Sequence, residues 1–81
     1  MLTAPRDWQY DSCFDGGETG CGELLIDLRL HFRALAGGTR VLVIARDAGA
    51  PVEMAAWCRM THHALLDSAH PYYLVARRED R

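Results

Sequence analysis

The sequence predicts an α/β (α+β) two-layer sandwich of order β-α-β-α-β-β, a four-stranded mixed sheet with two helices on one face. Three observations carry this expectation. Apolar residues recur at helical spacing after Glu23. An unbroken, β-branched run follows at Arg40-Val-Leu-Val-Ile-Ala, the mark of a strand buried in the middle of a sheet. A second helical stripe opening at Pro51 then leads into two short strand segments.

Taken in order, residues 1–7 read as a loose lead-in. Trp8–Phe14 alternates loosely enough to predict the first strand. Asp15-Gly-Gly-Glu-Thr-Gly-Cys-Gly is a glycine-rich turn. Leu24, Leu28, Phe32 and Leu35 then fall on one helical stripe beside Leu25, with Ile26 and Leu30 widening it. His31 falls on the other side, with Asp27 four residues before it as its nearest partner. Gly37-Gly38 is the expected helix stop. After the central strand, Asp47-Ala-Gly-Ala is a loop and Pro51 suits the first turn of a helix. Met54, Trp57, Cys58 and Thr61 share its buried stripe. Ala64–Ser68 and Tyr72–Arg77, separated by Ala69-His70-Pro71, predict a closing hairpin.

Composition bounds the function. The chain has 81 residues, 49% of them hydrophobic and 25% charged, as expected of one globular domain spanning 1–81. No apolar run approaches the about 20 residues that cross a bilayer, and the N-terminus lacks a secretory pattern. A cytoplasmic protein is the expectation. Net charge is −2 and all nine basic residues are Arg. A mildly acidic chain lacks the basic face on which non-specific nucleic-acid binding rests; the tail carries Arg77, Arg78 and Arg81, but Glu79 and Asp80 interrupt it.

Three cysteines, Cys13, Cys21 and Cys58, form no C-x-x-C pair. Their odd number in a short chain argues for reduced thiols rather than a disulfide framework. No pair of ligands has zinc-finger spacing, even with His62 and His63 counted, so neither metal nor cofactor is expected. Thr19-Gly-Cys-Gly-Glu-Leu is the segment richest in chemistry, because it sets Cys21 at the start of a helix. Unpaired backbone N–H groups and the positive helix end favour thiolate there, and glycines on both sides leave room for another protein to approach. Glu23 in the same turn opposes that ionisation. From the residues alone, Cys21 suits both a reactive thiol and a small apolar filler. Cys58 beside Trp57 reads as core, and Cys13 as filler rather than a resolving thiol.

These residues together resemble the TusA-like (SirA-like) sulfurtransferases, from about Phe14 to Arg78. The resemblance rests on Phe14-Asp15 at the family distance before Cys21 and on Asp47 after the central strand. It rests equally on Ala56-Trp57-Cys58-Arg59, on Thr61-His62-His63-Ala-Leu, and on the Tyr72–Arg78 strand. It implies a carrier that accepts sulfane sulfur as a persulfide on Cys21 and passes it to a partner protein. The implied partners are a sulfur donor, such as a cysteine desulfurase or rhodanese-like protein, and a sulfur acceptor, with no direct contact to nucleic acid or membrane. Arg46 and Arg59 are candidates for docking an acidic partner. The chain departs from the family where Gly22 and Leu24 replace the prolines of Cys-Pro-x-Pro. Glu18 and His62 likewise stand at family glycine positions. A binding or regulatory module that keeps this fold without the transfer is the alternative expectation.

Overall fold

A computed structural model describes residues 4–79 and leaves the side chain of Cys21 undescribed; the tail residue Arg81 thus lies outside the described residues. The elements follow the predicted order: β1 (Ser12–Asp15), α1 (Cys21–Arg33), β2 (Arg40–Ile44), α2 (Ala50–Thr61), β3 (Ala64–Ala69) and β4 (Tyr72–Ala76). The sheet order is β1-β2-β4-β3. β1 pairs with β2 in parallel, and β4 runs antiparallel to both β2 and β3. The sheet is therefore mixed, and the β-branched run of β2 lies inside it between β1 and β4.

The pleat sorts the side chains. Val41 and Val43 from β2 and Ala45 just past it point to the helix layer together with Tyr73 and Val75 from β4, and all five are at most 1% exposed. Leu24, Leu28 and Phe32, spaced four apart on α1, meet them from above, as do Met54, Trp57 and Cys58 from α2. The rings of Phe32 and Trp57 join the two helices edge to face, 5.5 Å apart and at 84°, an arrangement that adds about 0.5–1.5 kcal/mol to the burial itself. The apolar stripe of α1 is narrower than its sequence suggests. Ile26 and Leu30 are 65% and 58% exposed, because each lies two residues, about 200° of turn, past a core position.

The other face of the sheet has no helix, yet Leu42 and Leu74 on it are buried. The segment before β1 covers it. The predicted strand from Trp8 begins only at Ser12: the Asp11 N–H still bonds the Arg40 carbonyl, but the Asp11 carboxylate takes the Arg40 N–H and closes the ladder. Upstream, the Trp8 N–H returns to the Pro5 carbonyl in a turn. The Trp8 indole Nε1 then donates to the Asp67 carboxylate at 3.2 Å. Asp67 stands opposite Leu74 on β3, the far edge strand. The described chain from Pro5 to Asp11 thus crosses the sheet, and residues 1–3 of the lead-in lie outside the described residues.

α1 also ends earlier than the glycine pair implied. It closes at Arg33, where Ala34 and Leu35 N–H groups bond the His31 and Phe32 carbonyls three residues back, the tightened last turn common at helix ends. Gly38, at φ 85°, serves the following turn.

Gly16 marks where backbone meets core. A Cβ added there would lie 2.1 Å from Leu24 Cδ1 and 3.0 Å from the Ile44 carbonyl oxygen, and Leu24 is itself packed in the core. Gly16→Ala is expected to lose about 1–3 kcal/mol in denaturant unfolding. Gly22→Ala, which meets nothing within 4 Å, should lose none. Equal stabilities for the two variants would contradict this packing.

Candidate functional site

Topology decides which ends of the elements come together. β1 and β2 are parallel, and β3 runs in the same direction as β2 because each is antiparallel to β4. Both helices therefore return across the sheet in one direction. Their N-termini emerge at the carboxyl ends of β1 and β2, which is where ligand and reaction sites gather in open α/β sheets.

Cys21 is the first residue of α1. Gly20 precedes it as the N-cap in extended conformation, at φ −67° and ψ 158°, and no side chain caps the helix. The first intrahelical bond runs from Leu24 N–H to the Gly20 carbonyl at 2.9 Å. A helix start without a side-chain acceptor presents its orphan N–H groups, and with them the positive end of the dipole, to whatever approaches.

The turn leading to Cys21 is fixed from two sides. The Asp15 carboxylate accepts the Gly17 N–H at 2.8 Å, and Gly17 sits at φ 59°, a left-handed conformation glycine adopts freely. Arg46, just past β2, donates to the same Asp15 oxygen at 2.6 Å and to the Gly17 carbonyl at 3.1 Å. The Arg46 guanidinium, and next the Gly17 N–H, hold the Asp15 carboxyl below its ordinary value. On the other flank, Asp47 turns back to accept the Gly49 N–H at 2.8 Å. A Cβ built on Gly20 would lie 3.8 Å from the other Asp47 oxygen. The hairpin joins the same end, since Ala45 N–H bonds the Pro71 carbonyl at 2.9 Å. The helix start thus sits among one cation, Arg46, and several carboxylates, Asp15, Asp47 and Glu23.

The two described cysteines are poor thiolates. Cys58 is 4% exposed among core side chains, and burial pushes its thiol up to about 11. At neutral pH its thiolate share is on the order of one in ten thousand. Cys13 is exposed on β1, on the sheet face away from the helices, and desolvation followed by the Asp15 charge raises its thiol as well. Neither bears the marks of a resolving nucleophile.

The histidines divide among separate places. His31 does not face solvent with Asp27. It is half-buried against β1, with Nε2 3.3 Å from Ser12 Oγ and its ring 5.3 Å from that of Phe14. It follows Leu24 by seven residues and so lies near the core stripe. His62 is the left-handed C-cap of α2, at φ 65°, and His63 follows it. Both lie at the opposite end of the sandwich from the start of α1, as does Arg59 in the last turn of α2. Of the two arginines proposed for docking, only Arg46 therefore neighbours Cys21. Among the described residues, no three His, Cys, Asp or Glu side chains converge as metal ligands.

The Arg46–Asp15 pair is exposed, so its value is in setting the loop rather than in global stability. Arg46→Gln should return the Asp15 carboxyl toward its ordinary 3.8 in an NMR titration. A carboxyl with a depressed native pKa contributes stability above its unfolded value and loses it as pH falls through the native one. Any stability gap between the native chain and Arg46→Gln must accordingly close below about pH 4. An Asp15 titration unmoved by the substitution would refute the pairing.

No protein-family model and no curated protein matches this chain.

Proposed function

We propose that the protein is a small sulfur carrier that takes up sulfane sulfur as a persulfide on Cys21 and hands it to a partner protein. The observation that carries this reading is the position of Cys21: it opens α1 behind a glycine N-cap, with no side chain capping the helix. The resemblance to TusA-like sulfurtransferases, which share this order of elements and this place for the thiol, gives the reading its chemistry. A further support is the unsuitability of the other two thiols, whose environments raise them.

In the transfer, the Cys21 thiolate attacks the outer sulfur of a donor persulfide. A sulfur–sulfur bond forms to Cys21 as the donor's own sulfur–sulfur bond breaks. The donor leaves as a thiolate, the proton stays with the transferred sulfur, and no net oxidation occurs. Onward transfer repeats the step with the acceptor as nucleophile. The N–H groups at the start of α1 favour the anionic forms of both thiol and persulfide. The cytoplasm, where thiols stay reduced, is the compartment this chemistry requires. No described helix is long and apolar enough to cross a membrane.

One observation favours the other reading, a binding module that keeps the fold without the transfer. Glu23 in the first turn and Asp47 beside Gly20 both oppose ionisation of a thiol at this helix start. The two readings separate on the thiol itself. As a carrier, the protein incubated with polysulfide, or with a cysteine desulfurase and cysteine, gains the mass of one sulfur atom. The adduct disappears in Cys21→Ala and persists in Cys13→Ser. Its alkylation rate should report a thiol below the usual value of about 8.5. A wild-type protein that stays unmodified, with a thiol at or above that value, leaves only the binding module.

A further inference from the structure

The end of the sandwich remote from Cys21 holds a different chemistry. A cleft of about 450 Å³ opens there between the C-terminal turns of α1 and α2 and the chain leaving β4, large enough for a small organic ligand. Four guanidinium groups line it: Arg29 and Arg33 from α1, and Arg77 and Arg78 after β4. Among the described residues, no Asp or Glu is in its walls. Nearly half of the nine arginines of a chain with net charge −2 thus gather at one cleft. Trp57, 5% exposed, forms part of the floor.

The walls are held in place. Arg77 Nε donates to the Phe32 carbonyl at 3.1 Å, and Arg78 donates to the Thr61 carbonyl at 3.0 Å. Each thus binds a last-turn carbonyl of one helix. A guanidinium carries five N–H donors, so this capping and the binding of an anion are compatible. His63 is fixed as well, stacked 4.7 Å from Phe32 and 5.3 Å from Trp57. Its Nδ1 accepts the Arg78 N–H at 2.9 Å, which leaves the ring proton on Nε2. Arg29 and Arg33 are exposed, and neither has a carboxylate partner among the described residues. The neighbouring acid, Glu79, sits against Gly37 and Gly38.

Capping of helix dipoles does not account for the whole cluster. Two helix C-termini together supply about one negative charge, against four positive ones. Arg77 and Arg78 are engaged by the helix ends, which leaves the exposed guanidinium groups of Arg29 and Arg33, four residues apart on one helix face, where like charges cost stability unless something neutralises them. Planar, multi-donor groups converging on one cleft, with no carboxylate among its described walls, suit phosphate oxygens.

We propose that this cleft is a binding site for a phosphate-chain anion, either inorganic pyrophosphate or the polyphosphate of a nucleotide. Arg29 and Arg33 are its principal ligands, with Arg77, Arg78 and His63 completing the wall. The site is independent of the sulfur chemistry, because it lies at the other end of both helices from Cys21.

Calorimetric titration of the full chain with pyrophosphate, ATP and a poly-glutamate peptide tests this. Both phosphate ligands should bind, more weakly as salt is raised. Affinity should fall at least about tenfold in Arg29→Gln/Arg33→Gln and remain unchanged in Cys21→Ala. Equal affinities would mean that the phosphate chain alone is read, and tighter ATP binding that the nucleotide is the source. The single variant Arg29→Gln should weaken binding in the same direction, so a folding defect in the double variant does not obscure the result. Absence of binding by either phosphate ligand, or undiminished binding in the variants, overturns the proposal. Binding of poly-glutamate alone overturns it in favour of a protein-docking patch.

Discussion

The parallel pairing of β1 with β2 is the constraint from which the rest follows. A parallel pair cannot be joined by a tight turn, so the chain must cross back over the sheet, and it does so as α1. β2 and β3 also run in one direction with β4 between them, so the second return is made by α2. Two returns on one face give the helix layer its partner and the molecule its polarity. Both positive helix ends lie at the carboxyl ends of β1 and β2, and both negative ends at the opposite side. Had β1 paired antiparallel to β2, the starts of α1 and α2 would not lie at the same end of the sheet.

Side-chain charge is arranged against this polarity at each pole. At the positive pole, Asp15 and Asp47 spend their carboxylates on loop N–H groups, of Gly17 and Gly49, and Arg46 ties Asp15 to the same loop. These bonds fix the turn before Cys21 at the cost of negative charge near a thiol that a carrier needs ionised. At the negative pole, Arg77 and Arg78 satisfy the last carbonyls of both helices. Arg29 and Arg33 then add more positive charge than the helix ends can absorb. One pole is balanced by its own residues, whereas at the other Arg29 and Arg33 have no carboxylate partner among the described residues.

Much of this architecture was legible in the residues. The β-branched run of β2 and the four-residue spacing of Leu24, Leu28 and Phe32 determine a central strand and a core-facing helix, because burial leaves them no other arrangement. Met54, Trp57 and Cys58 declared the second helix in the same way. What pattern could not reach was set by partners distant in sequence. The first strand begins at Ser12 rather than Trp8 because Asp11 competes for the Arg40 N–H. Trp8 belongs to a cover over the second sheet face because Asp67, far along the chain, accepts a hydrogen bond from its indole N–H. Ile26 and Leu30 looked like core and are exposed, since a helix meeting a sheet on one side buries only a narrow stripe. At the site, Cys21 at the helix start was readable from the glycines around it. Arg46 as the tether of its loop, and the meeting of Arg29 and Arg33 with Arg77 and Arg78, required the fold.

Gly22 and Leu24, which stand where the motif this chain resembles has prolines, acquire a physical meaning in this setting. Leu24 is 2% exposed and anchors α1 to the core, so the position that a proline would use to stiffen the first turn is used here for packing. Gly22 meets nothing within 4 Å, which leaves the backbone beside Cys21 open rather than rigid. Order in the turn comes instead from outside the helix, through Arg46, Asp15 and the contact of Gly16 with Leu24. In this chain the residues before the cysteine, rather than those after it, supply the order of the turn. Such a turn holds the start of α1 in position while keeping the backbone on its exposed side accessible, and that is the demand the proposed carrier would place on a thiol meeting a donor and an acceptor protein in succession.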